Sequence, residues 1–321
     1  MSLDLDLELD DAQQALADAV AALCRDHCDD AVVRATDGLP RESWRALAAL
    51  GVFEIGAGEG GALEMVAALE ALGRAVFPGP LVGTFVACRL LPEAERRRVA
   101  AGDAIVCLAA PPLLPWGTLA DVFVEIDAET RQAFRARPVG ELMAVSTLGG
   151  EPFARAALER LDPLPGAAEA IALGDVARAA YLAAAGRRLV EDAAEHARTR
   201  KQFGKAIGEF QAVAHPLADA AIALDGARAL ARNAAWRFDQ GEPDAAAFAV
   251  AARRSATRAA LDAIHTGHQV FGAVGITLEG PAFPISRRIR QLASLPPADR
   301  HGREAILEAF VPSVARSEVH P

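Results

Sequence analysis

The first hundred residues carry apolar side chains at helical spacing. Leu16, Val20 and Leu23 recur three or four positions apart, which places them on one face of a helix. Similar patterns predict helices over about 10–28, 44–50 and 63–74. Gly51 ends the second of these helices. We therefore predict a helical N-terminal domain over residues 1–103.

The pattern changes in the middle of the chain. Short apolar runs bounded by proline and glycine predict β-strands over 104–110, 120–126 and 142–146. Pro163 and Pro165 end this section, because proline cannot donate a hydrogen bond to a strand ladder. We predict a small β domain over residues 104–165.

Long helical patterns return after this section. They cover 167–199, 210–239 and 243–271, and a weaker pattern covers 299–310. Long helices joined by short turns form bundles. The sequence therefore predicts a mainly α protein with a C-terminal helical bundle over residues 166–321.

Composition and charge exclude several classes of function. Hydrophobic residues make up 52% of the chain and charged residues 24%, which is typical of a globular protein. A net charge of −10 argues against nucleic-acid binding, because a phosphate backbone attracts clustered cations. No apolar run reaches the roughly 18 residues that a membrane span needs. The first residues are acidic where a signal peptide would be basic, so we expect a cytoplasmic protein.

The cysteines raise the question of a metal site. Cys24 and Cys28 lie four residues apart, with His27 between them. No second Cys/His pair with ligand spacing follows, so the sequence predicts free thiols and no metal.

The turn between the first two bundle helices, residues 198–211, has an unusual composition. A basic cluster ends one helical run, Gln-Phe-Gly breaks it, and a second amphipathic run begins at once. The start of the next helix offers free backbone N–H groups to an anion. This combination favours a binding site over an ordinary surface turn.

Two bundle segments resemble those of a known family. Residues 198–211 resemble the Arg-x-Gln-Phe-Gly-x-x-Ile-x-x-Phe-Gln signature of the acyl-CoA dehydrogenase flavoproteins. Residues 268–275, followed by Glu279 and Pro281, resemble that family's Gln-x-x-Gly-Gly-x-Gly-x-x-x-Glu-x-Pro segment. Glu70-Ala-Leu-Gly-Arg74 is similar to its Glu-x-x-Gly-Arg helix end. The resemblance implies a helical N-terminal domain, a reduced β domain and a C-terminal four-helix bundle.

The resemblance also implies a cofactor. In that family the two bundle motifs bind FAD across a subunit interface, so FAD and an oligomer are expected here. Arg200 would pair with the pyrophosphate, because a guanidinium matches the paired oxygens of a phosphate. The implied cofactor contacts are Arg200, Gln202, Phe203, Ile207, Gln211, Gln269 and Gly272.

Each of these residues also has a structural interpretation. Arg200 could offset the dipole at a helix C-terminus, and Phe203 could belong to the core. Gly272 could simply permit a tight turn. His265 and His268 share one helix face, and we expect both to be partly buried, neutral imidazoles.

The catalytic base expected from the family is missing. The family's reaction removes the α-proton of an acyl-CoA thioester with a carboxylate while hydride leaves Cβ for the flavin. That carboxylate comes from either of two places, which fall here on Gly174 and Pro296. Neither residue can accept a proton. Asp175 and Asp299 lie one and three residues away and are the alternative candidates.

The middle of the chain departs from the family as well. Residues 108–121 stand where the family carries a segment that embraces the flavin ring, and no second such segment is recognisable. We expect Trp116 to be a core or loop anchor. The half of the site that grips the flavin ring is therefore degraded, while the half that grips the adenosine diphosphate persists.

This asymmetry resembles the short subunits of heteromeric acyl-CoA dehydrogenases from actinobacterial sterol side-chain degradation. Those enzymes pair a full-length catalytic chain with a shortened chain that lacks the base. The leading hypothesis is a non-catalytic subunit that completes a shared FAD site for acyl-CoA oxidation in fatty acid or sterol side-chain β-oxidation. The alternatives are a self-sufficient homo-oligomeric dehydrogenase with Asp175 or Asp299 as base, and a non-enzymatic scaffold or CoA-thioester-binding protein.

Overall fold

The computed structural model describes residues 7–34, 38–55, 60–127, 129–147, 149–295 and 302–311. Its N-terminal part is helical, as predicted. The helices are α1 (Asp11–His27), α2 (Asp30–Arg34), α3 (Arg41–Ala49), α4 (Val52–Glu54), α5 (Ala62–Arg74), α6 (Leu81–Leu90) and α7 (Glu93–Ala100). Asp10 and Gln13 form a reciprocal capping box that starts α1.

Helices α6 and α7 were not predicted. Most residues of α6 are buried, so its sequence is apolar all round and shows no amphipathic period. Helix α7 is short and mostly charged, and it follows Pro92 directly. Neither pattern carries the apolar stripe on which the sequence prediction depended.

A five-stranded sheet follows the first seven helices. Its strands are β1 (Val106–Ala109), β2 (Leu113–Leu114), β3 (Val122–Ile126), β4 (Ala133–Val145) and β5 (Phe153–Leu164). The strand order is β1-β3-β4-β5-β2, with β1 parallel to β3 and the other neighbouring pairs antiparallel.

The sheet corrects part of the prediction for this section. The first two predicted strands are confirmed as β1 and β3. The third prediction, 142–146, covers only the end of β4, and β2 and β5 were not predicted. Most of β5 is exposed, and charged residues interrupt its alanines and leucines, so it lacks the apolar run that marks a buried strand.

The C-terminal part is a helical bundle. Its helices are α8 (Ala167–Thr199), α9 (Gln211–Asp239), α10 (Ala245–Phe271) and α11 (Ala282–Ser294), with α12 (Gly302–Phe310) after them. The three long helices begin and end within two residues of the predicted bounds. Helix α11 was not predicted separately, and the first residues of the prediction for 299–310 lie outside the described residues.

Helix α5 fixes the N-terminal helices to the bundle. Glu70 forms an ion pair of 2.6 Å with Arg232 of α9, and Arg74 pairs with Glu191 of α8 at 2.7 Å. Asp239, the last residue of α9, accepts hydrogen bonds from the backbone N–H groups of Ala62 and Leu63 at 2.6 and 3.0 Å. The Glu-x-x-Gly-Arg helix end therefore has a structural role in holding α5 against α8 and α9.

Candidate functional site

The turn after α8 displays its aromatic side chain outward. The turn contains a short antiparallel hairpin, in which Lys201–Gln202 pairs with Lys205–Ala206. Phe203 and Gly204 form the loop at its tip. Phe203 is 94% exposed, so its interpretation as a core residue is wrong. Its φ of 52° lies in the left-handed region, which is unfavourable for a residue with a Cβ. The fold therefore holds an exposed aromatic in a strained conformation, which is a common feature of ligand sites.

The polar residues of this turn are also accessible. Arg200 follows the last residue of α8, and its exposed guanidinium makes no hydrogen bond or ion pair with any described residue. The side-chain amide of Gln202 donates to the neighbouring Lys201 carbonyl at 2.7 Å. Gln211 is the exposed first residue of α9, while Ile207 is half-buried and packs against the core. Arg200 is thus placed both to offset the dipole of α8 and to meet an anion.

The second predicted segment ends α10. Gly272 follows Phe271 with φ 62° and ψ −134°, a conformation that essentially only glycine adopts. Gln269 is exposed one turn earlier. Both residues line an open groove of about 480 Å³ between α10 and α11, which we call the groove.

The two predicted segments lie at the same end of the bundle. The ring of His196, in the last turn of α8, packs against the ring of Phe271 at the end of α10, with centroids 5.1 Å apart. The antiparallel helix α9 starts at this end as well. Tertiary structure therefore brings residues 200–211 and 269–272 together, although some sixty residues separate them in the chain.

One of the two base positions lies elsewhere, at a cavity of about 100 Å³, which we call the cavity. Its walls come from α6, the loop after β1, α8 and α11, and most of them are apolar. Gly174 and Asp175 of α8 form part of the wall.

Neither residue at this position is an available carboxylate. A Cβ built on Gly174 would lie 2.7 Å from Val86 Cγ2, so a side chain here requires Val86 to move. Asp175 is buried and forms an ion pair of 3.0 Å with the buried Arg253. The other predicted positions, Pro296 and Asp299, lie outside the described residues.

A buried carboxylate in the cavity wall was not predicted from the sequence. Glu151 lines the cavity, forms an ion pair with the buried Arg288 of α11 and accepts a hydrogen bond from Trp116. Burial raises the pKa of Glu151, while the positive charge of Arg288 acts in the opposite direction. Since 137 residues separate the ion-paired partners, no local pattern could have revealed them. Trp116 is 4% exposed and confirms the expected buried anchor.

The two histidines of α10 differ. His268 is half-buried, and its Nε2 lies 2.8 Å from the Ser286 hydroxyl. Burial lowers its pKa, so the ring is neutral at neutral pH, as expected. His265 is exposed, so the expectation that it is partly buried is wrong. It sits on the solvent side of the same groove.

The cysteines are inert thiols. Burial raises the pKa of Cys24 to about 12 and that of Cys28 to about 11. Both are therefore protonated at neutral pH, whereas a metal ligand must be a thiolate. Within the described residues, no group of three or more Cys, His, Asp or Glu is arranged to hold a metal ion. No helix in the same part of the chain is long and apolar enough to cross a membrane.

Comparisons with known proteins give a consistent result. A family model for the acyl-CoA dehydrogenase C-terminal domain matches residues 166–304. The acyl-CoA dehydrogenase IpdE2 of Mycobacterium tuberculosis is 33% identical over 293 residues, which cover 83% of this chain and 87% of that protein.

Solved structures share the fold. The ChsE4-ChsE5 complex from Mycobacterium tuberculosis has a TM-score of 0.79 at 22% identity, covering 98% of this chain and 100% of the matched chain. The FAD complex of PigA has a TM-score of 0.78 at 20% identity, covering 95% and 99%. At these identities the similarity establishes the fold.

Proposed function

Because the chain belongs to the acyl-CoA dehydrogenase family of FAD-dependent oxidoreductases, we propose that it completes a shared FAD site in a hetero-oligomer without supplying the catalytic base. The partner would be a full-length subunit of the same family. The substrate would be an acyl-CoA thioester of fatty acid or sterol side-chain β-oxidation. FAD, when bound, supplies the hydride acceptor for α,β-dehydrogenation.

The packing of Gly174 is the observation that carries this proposal. Abstraction of an α-proton needs a positioned base, and a family position for that base falls on Gly174 at the cavity wall. A Cβ there would lie 2.7 Å from Val86 Cγ2. The neighbouring Asp175 is buried and held in an ion pair with Arg253 at 3.0 Å, so its carboxylate is already occupied.

The diphosphate half of a FAD site fits this chain. Arg200, Gln202, Phe203 and Gln211 are exposed at one end of the bundle. Gln269 and Gly272 line the groove at the same end. We propose that Arg200 binds the pyrophosphate, that Gln202, Phe203, Ile207 and Gln211 contact the adenosine–ribityl arm, and that Gln269 and Gly272 approach the diphosphate.

The flavin-ring half does not fit. The cavity of about 100 Å³ is smaller than the roughly 150 Å³ that accommodates a single benzene ring. Its polar wall is occupied by the Glu151–Arg288 pair, with Trp116 donating to the same carboxylate. A cavity of this size does not enclose a three-ring flavin, which supports a site shared with a partner.

Relatives support a partner of the same family. The ChsE4-ChsE5 structure is a complex of two named chains, one of which has this chain's fold over its whole length. IpdE2 is named an acyl-CoA dehydrogenase and is matched over most of its length. We infer that this chain likewise assembles with a second, full-length subunit.

The visible spectrum of the purified protein tests this proposal. The chain alone is expected to be colourless, and to acquire flavin absorbance when co-expressed with a longer homologue encoded beside it. Bound flavin in the chain alone, bleached by acyl-CoA, would overturn the proposal in favour of a self-sufficient dehydrogenase. Absence of flavin under both conditions would leave the non-enzymatic scaffold.

A further inference from the structure

A third open space lies between the N-terminal helices and the bundle. It has a volume of about 440 Å³, and its walls come from α1, α2, α5, α8 and the start of α11. None of its described lining residues lines the cavity or the groove. We call it the arginine pocket, because Arg25, Arg34, Arg74 and Arg188 line it from four different helices.

The arginine pocket is positively charged within an acidic protein. Among its described lining residues, Asp192 is the single carboxylate beside the four arginines. Asp192 is already engaged, because Arg188 donates from Nε to its two carboxylate oxygens at 2.9 and 2.8 Å. The chain as a whole carries a net charge of −10, so this concentration of cations runs against the overall charge. A pocket of this sign attracts an anion.

The other arginines of the pocket differ in what they bind. Arg74 pairs with Glu191 at 2.7 Å, and Arg34 donates from Nη1 to the Leu278 carbonyl at 2.8 Å. Arg25 is exposed in the last turn of α1, and it makes no hydrogen bond or ion pair with any other residue that the structure describes. Arg25 is therefore the cation that can bind a ligand without breaking an existing contact.

The floor of the arginine pocket is apolar. Its side chains include those of Cys24, Val33, Val76 and Ile285. Val76 has φ 56°, a left-handed conformation that is unfavourable for a β-branched residue. Strain of this kind is a common feature of ligand sites. The pocket thus combines an apolar surface with an available guanidinium.

We propose that the arginine pocket binds an amphipathic oxyanion, that is, a carboxylate or phosphate on an apolar chain, with its head group on Arg25. A guanidinium binds the oxygens of either head group through two parallel hydrogen bonds. The volume of about 440 Å³ falls within the range of small-molecule sites, and the apolar floor covers the chain of the ligand. The proposal is independent of the shared FAD site, because none of the residues assigned to FAD lines this pocket.

Calorimetric titration of the full-length chain with four probes tests the ligand class. Octanoate and octyl phosphate carry both features, octanol lacks the charge, and inorganic phosphate lacks the chain. We expect the two amphipathic anions to bind roughly 10-fold or more tightly than octanol and inorganic phosphate. Tighter binding of octanoate than of octyl phosphate would identify the head group as a carboxylate, and the reverse order would identify a phosphate. Octanol binding as tightly as octanoate would overturn the proposal.

Substitution of Arg25 tests the location. Arg25→Ala should weaken octanoate binding roughly 10- to 100-fold, the range expected for one charged hydrogen-bonded contact. Arg25→Lys should retain part of the affinity, because a single ammonium replaces the paired donors. Unchanged binding in Arg25→Ala would place the ligand elsewhere and overturn the proposal.

Arg258→Ala is the matched control. Arg258 is also an exposed arginine near the surface of a helix, but it does not line the arginine pocket, and its partner is Asp262. We expect this variant to bind octanoate like the wild type. Equal losses in Arg258→Ala and Arg25→Ala would reduce the effect to overall charge and overturn the proposal, as would failure of the wild-type chain to bind either amphipathic anion.

Discussion

The cavity and the groove treat their polar groups in opposite ways. In the cavity, Glu151 is paired with Arg288 and Asp175 with Arg253, and all four side chains are buried. In the groove and the adjacent turn, Arg290, Gln269 and Arg200 are exposed and face solvent. A buried ion pair resists a new ligand, because separating the pair leaves a charge without compensation. An exposed cation without a partner can bind a phosphate without disrupting an existing ion pair.

In our proposal, the two ends of the family's site differ in this chain. The carboxylates of the cavity wall are already held in ion pairs, and a glycine stands at a base position. At the groove end, the exposed side chains of Arg200 and Arg290 make no hydrogen bond or ion pair with another described residue. In our proposal, the base is absent while the residues that we assign to the diphosphate remain at the other end of the bundle.

The largest expected effect comes from breaking the cavity pair. Glu151→Ala leaves Arg288 buried without its partner, which should lower the free energy of unfolding by about 3–5 kcal/mol. Urea denaturation measures this loss. Arg290→Ala, in the groove, should change it by less than about 0.5 kcal/mol. Similar losses in the two variants would contradict the contrast between buried and exposed charge.

The packing of Gly174 should give the next largest effect. Gly174→Ala is expected to cost about 1–3 kcal/mol, because its Cβ would meet Val86 Cγ2. In a Val86→Ala background the same substitution should cost less, since the clashing methyl is gone. Thermal unfolding of the four proteins in this double-mutant cycle gives the coupling. Additive losses would mean that contact with Val86 is not what excludes a side chain at position 174.

Phe203 should show opposite effects on stability and on flavin binding. Phe203→Gly removes the strain of φ 52° in a non-glycine residue and should stabilise the chain by up to about 1 kcal/mol. The same change should lower flavin occupancy in the co-expressed complex, because the exposed aromatic is lost. The ratio of flavin to protein absorbance reports the occupancy. Unchanged occupancy would remove Phe203 from the proposed site.

The smallest expected effect is a pH dependence at His268. Because the folded state lowers the pKa of this imidazole, protons bind the unfolded chain more tightly. Stability should therefore be complete above the ordinary histidine pKa and fall as the pH drops through about 6.5. Solvent screening of the half-buried ring should keep the loss below about 1 kcal/mol. His268→Gln should flatten this part of the urea-midpoint profile, and an unchanged slope would assign it to another group.

Much of the fold was predictable where a helix is long. The helical patterns of α8, α9 and α10 fixed their bounds closely, because they extend over many turns. Helix α6 was missed because burial on all sides erases the stripe. Strand β5 was missed because exposure on both faces over residues 159–163 erases the alternation there.

The residues of the candidate site also differ in how far they could be predicted from local sequence. The turn at 198–211 and the segment at 268–275 were found because their residues are local motifs, and the structure adds that both lie at one end of the bundle. Glu151 and Arg288 were missed because their pairing joins distant segments. His265 was expected to be partly buried like His268, but only the packing of α11 decided which of them is covered.

The sequence by itself determined the family, the order of helices, sheet and bundle, and the absence of a carboxylate at residue 174, because these depend on composition and on contacts between near neighbours. Only the tertiary structure decided that Gly174 faces Val86, that Glu151 is tied to Arg288, and that Arg290 is the accessible cation of the groove. Those facts depend on which surfaces of distant helices meet. That choice is made by packing over the whole chain, which no local pattern encodes.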